Sequence, residues 1–525
     1  MNVSFSFLEL GASALTHGEG WFTPVCVRHT KIREVIGGWS HMLRQYLRVH
    51  LCGPRGISTA GLAVTLNGKP ELLFAKLTHL LSDCDGFQSG LAWKGTSSTK
   101  PCIRHWNVLM KRSPLRTQDG FVDISCADWR CFKSASHTDL MEYIDFVHLA
   151  QEQADAGLIP KCAAQEASQV CGFNACPNGV LACRELREQF AITSVLTSDW
   201  MHNALQDGTL TTEVFLFLAE AAVPRETLEA YMKTTFTFPR STHVKSAALH
   251  RIFNEYRFSE AKFRCSASEM LSLYGLLRHF VATKVEHTPA LTAQRASFLA
   301  ACTVLDTIWS AKRREVRLAD AGRALRAALH EHMRLHLAAY GDQYIKPKHH
   351  LMFDIAEQMI RDGSVQQGVL LDMFVVERTH LEVKRVAEII DNTRNYEASV
   401  LAALLNRQTA CSRERVTVHG LVGRVQAFPG MPSVQCSRAL RVDGVTFSVG
   451  DLAMYGDRAG AILACARDEF NLFVLVQEMV FEHQLSSHSS TWRRLNSYCF
   501  WSARCLLQVL AWIPHEDQSI TVIHM

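Results

Sequence analysis

The sequence predicts an α/β chain with a large α-helical insertion, closed by a small all-β C-terminal domain. Three observations predict it. Residues 1–139 mix short β-type runs with amphipathic stretches, residues 140–340 are dominated by helical periodicity, and from Arg415 onward short β-rich runs alternate with Gly and Asp. At 525 residues the chain is too long for one compact core, so several domains are expected.

Taken in order, Ser4–Leu10 is apolar-periodic from its first residues, with no cap or solvated leader before it. A chain that opens in mid-element is expected to lack an upstream portion. Lys31–Val49 spaces Ile32, Val35, Ile36, Trp39, Leu43, Tyr46 and Leu47 as a helix does, with Gly37-Gly38 as an interruption. Its Lys31, Arg33, Arg44 and Arg48 form a basic face, read as solvated rather than as a nucleic-acid contact. Gly61–Asn67 is a short β-type run, and Glu71–Leu81 suits a helix or a strand. Asp119–Ser125 alternates like a strand. Within 140–340, Asp139–Gln153 sets Leu140, Tyr143, Ile144, Val147 and Leu149 on one face. Ala296–Tyr340 is the strongest helical stretch, closed by Gly341 and Pro347. Residues 341–410 carry a basic helix, and Asn406–Arg413 marks the boundary to the β-rich domain, 411–525.

Composition narrows the function classes. Against 55 Lys and Arg stand 51 Asp and Glu, a net charge of +4 that leans only weakly toward polyanions. No segment supplies the ~18 uninterrupted apolar residues of a membrane span. Met1–Leu8 lacks the basic start and cleavage site of a signal peptide. With no signal peptide, the 17 irregularly spaced Cys suit reduced thiols better than a disulfide framework.

The chemistry-bearing stretch is Leu81–Val108. It brings Asp83 and Asp85 after an apolar run, then Trp93-Lys94-Gly95, then Cys102-x-x-His105. Asp83 alone suits a turn or cap. Divalent-metal phosphoryl chemistry would need further carboxylates from distant elements, because hard cations bind through several oxygens. Cys102 and His105 can be half of a zinc site, since two intervening residues let both reach one tetrahedral ion. His202 or the Cys162, Cys171, Cys176 and Cys183 group are candidates for the other half, and buried thiols are the plainer reading. Ser198-Asp199-Trp200-Met201-His202 reads as a helix start capped by Ser198 or Asp199. Lys346-Pro-Lys-His-His350 is a compact basic knot, either a phosphate grip or a solvated helix start. Glu377 opens a basic helix containing Lys384 and Arg385, by default an ion-pair face.

The succession Asp83, Trp93-Lys94-Gly95, Cys102-x-x-His105, Asp199-x-Met-His202, Lys346-Pro-Lys-His-His350 and Glu377 resembles the CACTA (En/Spm)-type DDE transposases, closest to divergent protist copies. The resemblance spans roughly residues 5–400. It implies an incomplete RNase H-like core whose helical insertion separates Asp83 from Glu377. It implies Mg²⁺ or Mn²⁺ held by Asp83 and Glu377 as catalytic residues, with Zn²⁺ as a further metal near Cys102, His105 and His202. DNA would be contacted by Lys346, Lys348, His349, His350, Lys384 and Arg385. A nuclear location and a homo-oligomer follow for an active form, with no membrane partner. Where the family has a second Cys, this chain has His105. The family's first catalytic Asp lies upstream of the segment matching Ser4–Leu10, so impaired DNA cleavage and strand transfer are expected. The alternative is a non-catalytic DNA-binding or protein-interaction module on the same scaffold.

Overall fold

The computed structural model describes residues 2–11, 15, 20–239, 244–259, 262–364, 368–391, 394–413, 420–442, 445–469, 471–486 and 488–524. The chain is mixed α/β, with many helices and an antiparallel C-terminal sheet region. It divides into two compact units: residues 1–204 with 310–410, and residues 205–309 with 411–525.

The first unit opens on an antiparallel pair, β1 (Asn2–Phe5) and β2 (Phe22–Cys26). Helix α1 (Gly38–Leu47) starts where Gly37 and Gly38 both take positive φ, which explains the break inside Lys31–Val49. A hairpin follows, β3 (Leu62–Leu66) and β4 (Lys69–Leu73). Then come β5 (Leu80–Ser82) and α2 (Cys84–Leu91). The stretch Glu71–Leu81 is therefore extended, and the helical option is not realised. Of Asp119–Ser125 only β7 (Val122–Asp123) is strand, paired in parallel with β6 (Val108–Leu109).

Helix α3 (His137–Asp155) carries a reciprocal capping box between Ser136 and Asp139, and α4 (Lys161–Cys171) packs beside it. Leu149 is 51% exposed, so the buried face of α3 is formed by Leu140, Met141, Ile144 and Val147 instead. The short strand β8 (Leu196–Ser198) then pairs in parallel with β5, Leu80 opposite Leu196 and Ser82 opposite Ser198. The unit resumes with α5 (Leu318–Tyr340), α6 (Pro347–Asp362), α7 (Phe374–Ile389) and α8 (Tyr396–Arg413). Ala296–Tyr340 is not one helix: the run breaks after Lys312, at a turn where Arg314 has φ +60°. Leu43, Leu47, Phe87, Leu91, Trp93, Ile103, Leu140, Ile144, Leu186 and Leu196 share one core. That core ties α1, α2 and β8 together, and so fixes the ends of β5 and β8.

The second unit contains helices Thr209–Glu220, Arg225–Thr235 and Ala267–Thr283, with most of Thr292–Lys312. Two short strands, β9 (Phe258–Ser259) and β10 (Lys262–Phe263), pair beside them. The C-terminal strands run β11 (Gly420–Val422), β12 (Gln426–Phe428), β13 (Met431–Ser437), β14 (Ala439–Val442), β15 (Val445–Ser448), β16 (Leu452–Tyr455), β17 (Arg458–Arg467), β18 (Leu472–Ser486), β19 (Ser489–Ser502), β20 (Leu507–Pro514) and β21 (Ser519–His524). Pairing proceeds β17–β16–β20–β21–β19–β18 and returns to β17, a closed antiparallel ring from which the long β18–β19 hairpin extends. Ile462, Val474, Val476 and Trp501 fill one part of its core, and Trp492, Val509 and Val522 another. On the helices, Asp306 accepts from Tyr274 Oη at 3.1 Å and from Arg278 at 2.7 Å, and His488 Nε2 stands 3.0 Å from it.

Candidate metal centre and neighbouring carboxylate pocket

Cys102 and His105 lie on the loop after Trp93, and both are buried. Their partners come from α6. His350 and Asp354 are one helical turn apart on its inner face, 1% and 2% exposed. The four donor atoms all lie within 4.8 Å of one another. His105 Nδ1 is 3.0 Å from Asp354 Oδ1 and 3.1 Å from His350 Nε2. Cys102 Sγ is 3.3 Å from Asp354 Oδ2 and 3.6 Å from His105 Nδ1. A tetrahedral ion with bonds of ~2.0–2.3 Å has ligand–ligand edges of about 3.3–3.8 Å, so this one-sulfur, two-imidazole, one-carboxylate set is close to a coordination shell. On the far side, His105 Nε2 stands 3.1 Å from Glu357 Oε2. That carboxylate fixes the imidazole's orientation as outer-shell partners of metal-bound His do. Phe132 closes the cluster, its ring 5.2 Å from that of His105 and 4.7 Å from that of His350.

Burial sets the protonation. It pushes the His350 imidazole down to about 3, reinforced by the neighbouring His105, so His350 is a neutral donor. Burial and the Asp354 carboxylate push the Cys102 thiol up in the absence of a cation. For His105 burial works downward, but Cys102 and Asp354 outweigh it and hold the imidazole well above its ordinary value.

The carboxylate pocket lies beside this cluster, lined by Ser82, Asp83, Asp199, His202, Asn203 and Asp354 among others. Because β5 and β8 are parallel neighbours, Asp83 and Asp199 emerge together at their carboxyl ends, where open α/β sheets place ligands. Asp83 caps α2, Oδ1 accepting from Gly86 N at 2.7 Å. Asp199 is 2% exposed and fully engaged. Its Oδ1 accepts from Met201 N at 3.3 Å and Met373 N at 3.0 Å, and its Oδ2 meets His202 N at 3.0 Å and Nδ1 at 2.5 Å. Asp199 thus anchors both His202 and the start of α7. One turn into α7, Glu377 Oε1 sits 3.4 Å from His202 Nε2. Burial opposes charge on His202, but hydrogen bonds to Asp199 and Glu377 raise it to about 9. For Asp199, burial pushes the carboxyl up against the pull of His202.

Several expected positions are redistributed. His202 faces Asp199 and Glu377, and the metal-type cluster is completed by His350 and Asp354; the Cys162, Cys171, Cys176 and Cys183 group takes no part in it. His349 and His350, expected to touch phosphate, are buried at 3% and 1% and offer a DNA backbone no surface. Lys348 Nζ donates to the His202 carbonyl at 2.9 Å, bracing the pocket, and Lys346 is half-buried at the start of α6. Lys384 and Arg385 are exposed on α7. Glu382, five residues on from Glu377, is ion-paired with Arg407 of α8 at 2.5 Å. The residues that sequence reasoning missed are Asp354 and Glu357. Their spacing from His350 on one helix, four and seven residues, was the available signal.

Compared with known proteins, the chain matches no protein-family model. It matches no curated protein and no solved structure either.

Proposed function

We propose that this chain is a transposase-derived protein whose first unit carries a divalent-metal phosphoryl-transfer site on an RNase H-like core, supported by a structural zinc site. The observation that carries the reading is that Asp83 and His202 line one pocket at the carboxyl ends of two parallel strands, with Glu377 Oε1 3.4 Å from His202 Nε2. Oxygens of Asp83 and Glu377 would hold Mg²⁺ or Mn²⁺, the bound ion supplying charge for a phosphoryl oxygen and a more acidic water. Asp199 positions His202, and His202 in turn holds one oxygen of Glu377. The buried Cys102, His105, His350 and Asp354 set suits zinc, a borderline-soft ion that accepts sulfur, nitrogen and oxygen together. It would clamp the Cys102–His105 loop to α6. Exposed Lys384 and Arg385 would meet the DNA backbone, a contact weakened by salt.

The test is nicking of supercoiled DNA by the full chain in Mg²⁺ or Mn²⁺, compared with Asp83→Ala and Glu377→Ala. Loss of metal-dependent nicking in both variants supports the assignment; nicking unchanged in Asp83→Ala overturns it.

A second reading is a DNA-binding module without cleavage. It is favoured by the commitment of Asp83 Oδ1 to capping α2. Salt-sensitive DNA binding with no metal-dependent nicking would select it.

A further inference from the structure

The β3–β4 hairpin is a largely exposed ribbon, every residue of β4 lying at the surface. Asn67 and Gly68 at its tip both have positive φ, 52° and 78°, the type I′ geometry that suits the twist of a two-residue hairpin. Among the described residues, β3 and β4 pair only with each other. The ribbon is nonetheless apolar: Leu62 is 50% exposed, Leu72 57%, Leu73 45% and the adjoining Phe74 61%. A lone two-stranded ribbon is marginal in water, and an apolar one with an open edge is a template for another strand.

The two edges differ. Register pairs position 66 with Lys69 across the two-residue turn, so these positions exchange hydrogen bonds. By alternation, the backbone groups of Ala63 and Thr65 on β3, and of Pro70 and Leu72 on β4, point outward. Pro70 has no N–H, so the β4 edge lacks a donor there. The β3 edge, Leu62-Ala-Val-Thr-Leu66, carries neither proline nor charge.

We infer that the β3 edge joins the same edge of a second copy of this chain, antiparallel about a two-fold axis through Val64. That register sets Ala63 opposite Thr65 of the second copy and Thr65 opposite its Ala63. Outward N–H and C=O groups at both positions then meet in matched pairs, and two ribbons become a four-stranded sheet. A two-fold axis requires a self-complementary strand, and an uncharged, proline-free stretch centred on one valine is one. The ribbon's charges, Lys69 and Glu71, lie on β4 and stay clear of the seam. None of the metal-site residues takes part, so this inference is independent of the proposed function.

Sedimentation equilibrium of the full chain tests it, with Val64→Lys, Val64→Glu and their mixture. The wild type is expected to dimerise in the micromolar range. Each variant alone places like charges directly opposite each other and weakens the dimer by roughly tenfold or more. Mixing the two restores it, which a folding defect would not allow. A monomeric wild type, a dimer indifferent to both substitutions, or a mixture that stays monomeric overturns the inference.

Discussion

His105 and His350, distant in sequence, face each other across 3.1 Å, Nδ1 to Nε2, with Cys102 and Asp354 completing the group. Two imidazole nitrogens, a thiol and a carboxylate buried this close together form an arrangement that a cation stabilises. Purified from zinc-supplemented cells, the chain is predicted to carry about one zinc per molecule. His350→Ala and Asp354→Ala should lose that metal, whereas His202→Ala should keep it. Elemental analysis by mass spectrometry decides between the two groupings. Zinc retained by Asp354→Ala but lost from His202→Ala would reverse the assignment.

Glu357 touches His105 only through the nitrogen that faces away from the cluster. Its substitution by Gln keeps the size and removes the charge. Zinc affinity is predicted to fall about 10–100-fold, the usual penalty for losing an outer-shell carboxylate. Competition with a chromogenic chelator measures this directly. An unchanged affinity would mean that Glu357 serves only packing.

The sequence shows Cys102, His105 and His350 as candidate site residues, but neither Asp354 nor the grouping. Cys102-x-x-His105 was visible as half a site because both ligands are local. The other half required knowing that α6 turns its inner face toward that loop, which only tertiary packing decides. Lys346-Pro-Lys-His-His350 looks basic as a string, yet helical geometry turns His349 and His350 inward and leaves the lysines nearer the surface. Asp83 and Glu377 are linked in the sequence only by the ordering of motifs that carries the resemblance; in the structure each neighbours His202, Asp83 as a fellow pocket-lining residue and Glu377 at 3.4 Å. The connecting element, Asp199 to His202, reads in the sequence as a cap and as a candidate zinc ligand, and its role as an anchor is hidden because a local cap and an anchor for a distant helix look identical in one dimension. The C-terminal strands were the easiest, since alternation and turn residues are local signals. Closure of the ring through the β17–β18 pairing was not.

Asp199 offers a stability test of that anchoring. Its oxygens accept four N–H groups, three from the adjoining Met201 and His202 and one from Met373 at the start of α7. In Asp199→Asn an amide donor replaces one acceptor and faces the His202 donors. The predicted loss is about 1–3 kcal/mol, the cost of leaving buried polar groups mismatched. Urea denaturation near neutral pH should show it as a lower midpoint. A midpoint within error of wild type would mean that α7 is positioned by its apolar face alone.

His279 gives the second unit a defined response to acid. Burial, with Lys284 adding to it, pushes this imidazole down to about 4, while Nδ1 stands 3.0 Å from the Tyr231 hydroxyl. The unfolded chain takes up its proton near pH 6.5, well before the folded chain does. Between about pH 6.5 and pH 4 the unfolded state therefore binds more protons, and stability must fall as the pH is lowered through that window. The loss should not exceed about 2 kcal/mol once solvent screening of a partly exposed ring is allowed for. His279→Phe retains the edge contact with Phe236 and removes the titrating group. Its denaturation midpoint is predicted to lie below wild type at pH 7, where the Tyr231 hydrogen bond counts, and to decline less steeply toward pH 4. Parallel pH profiles for the two proteins would place the acid-sensitive group elsewhere in this unit.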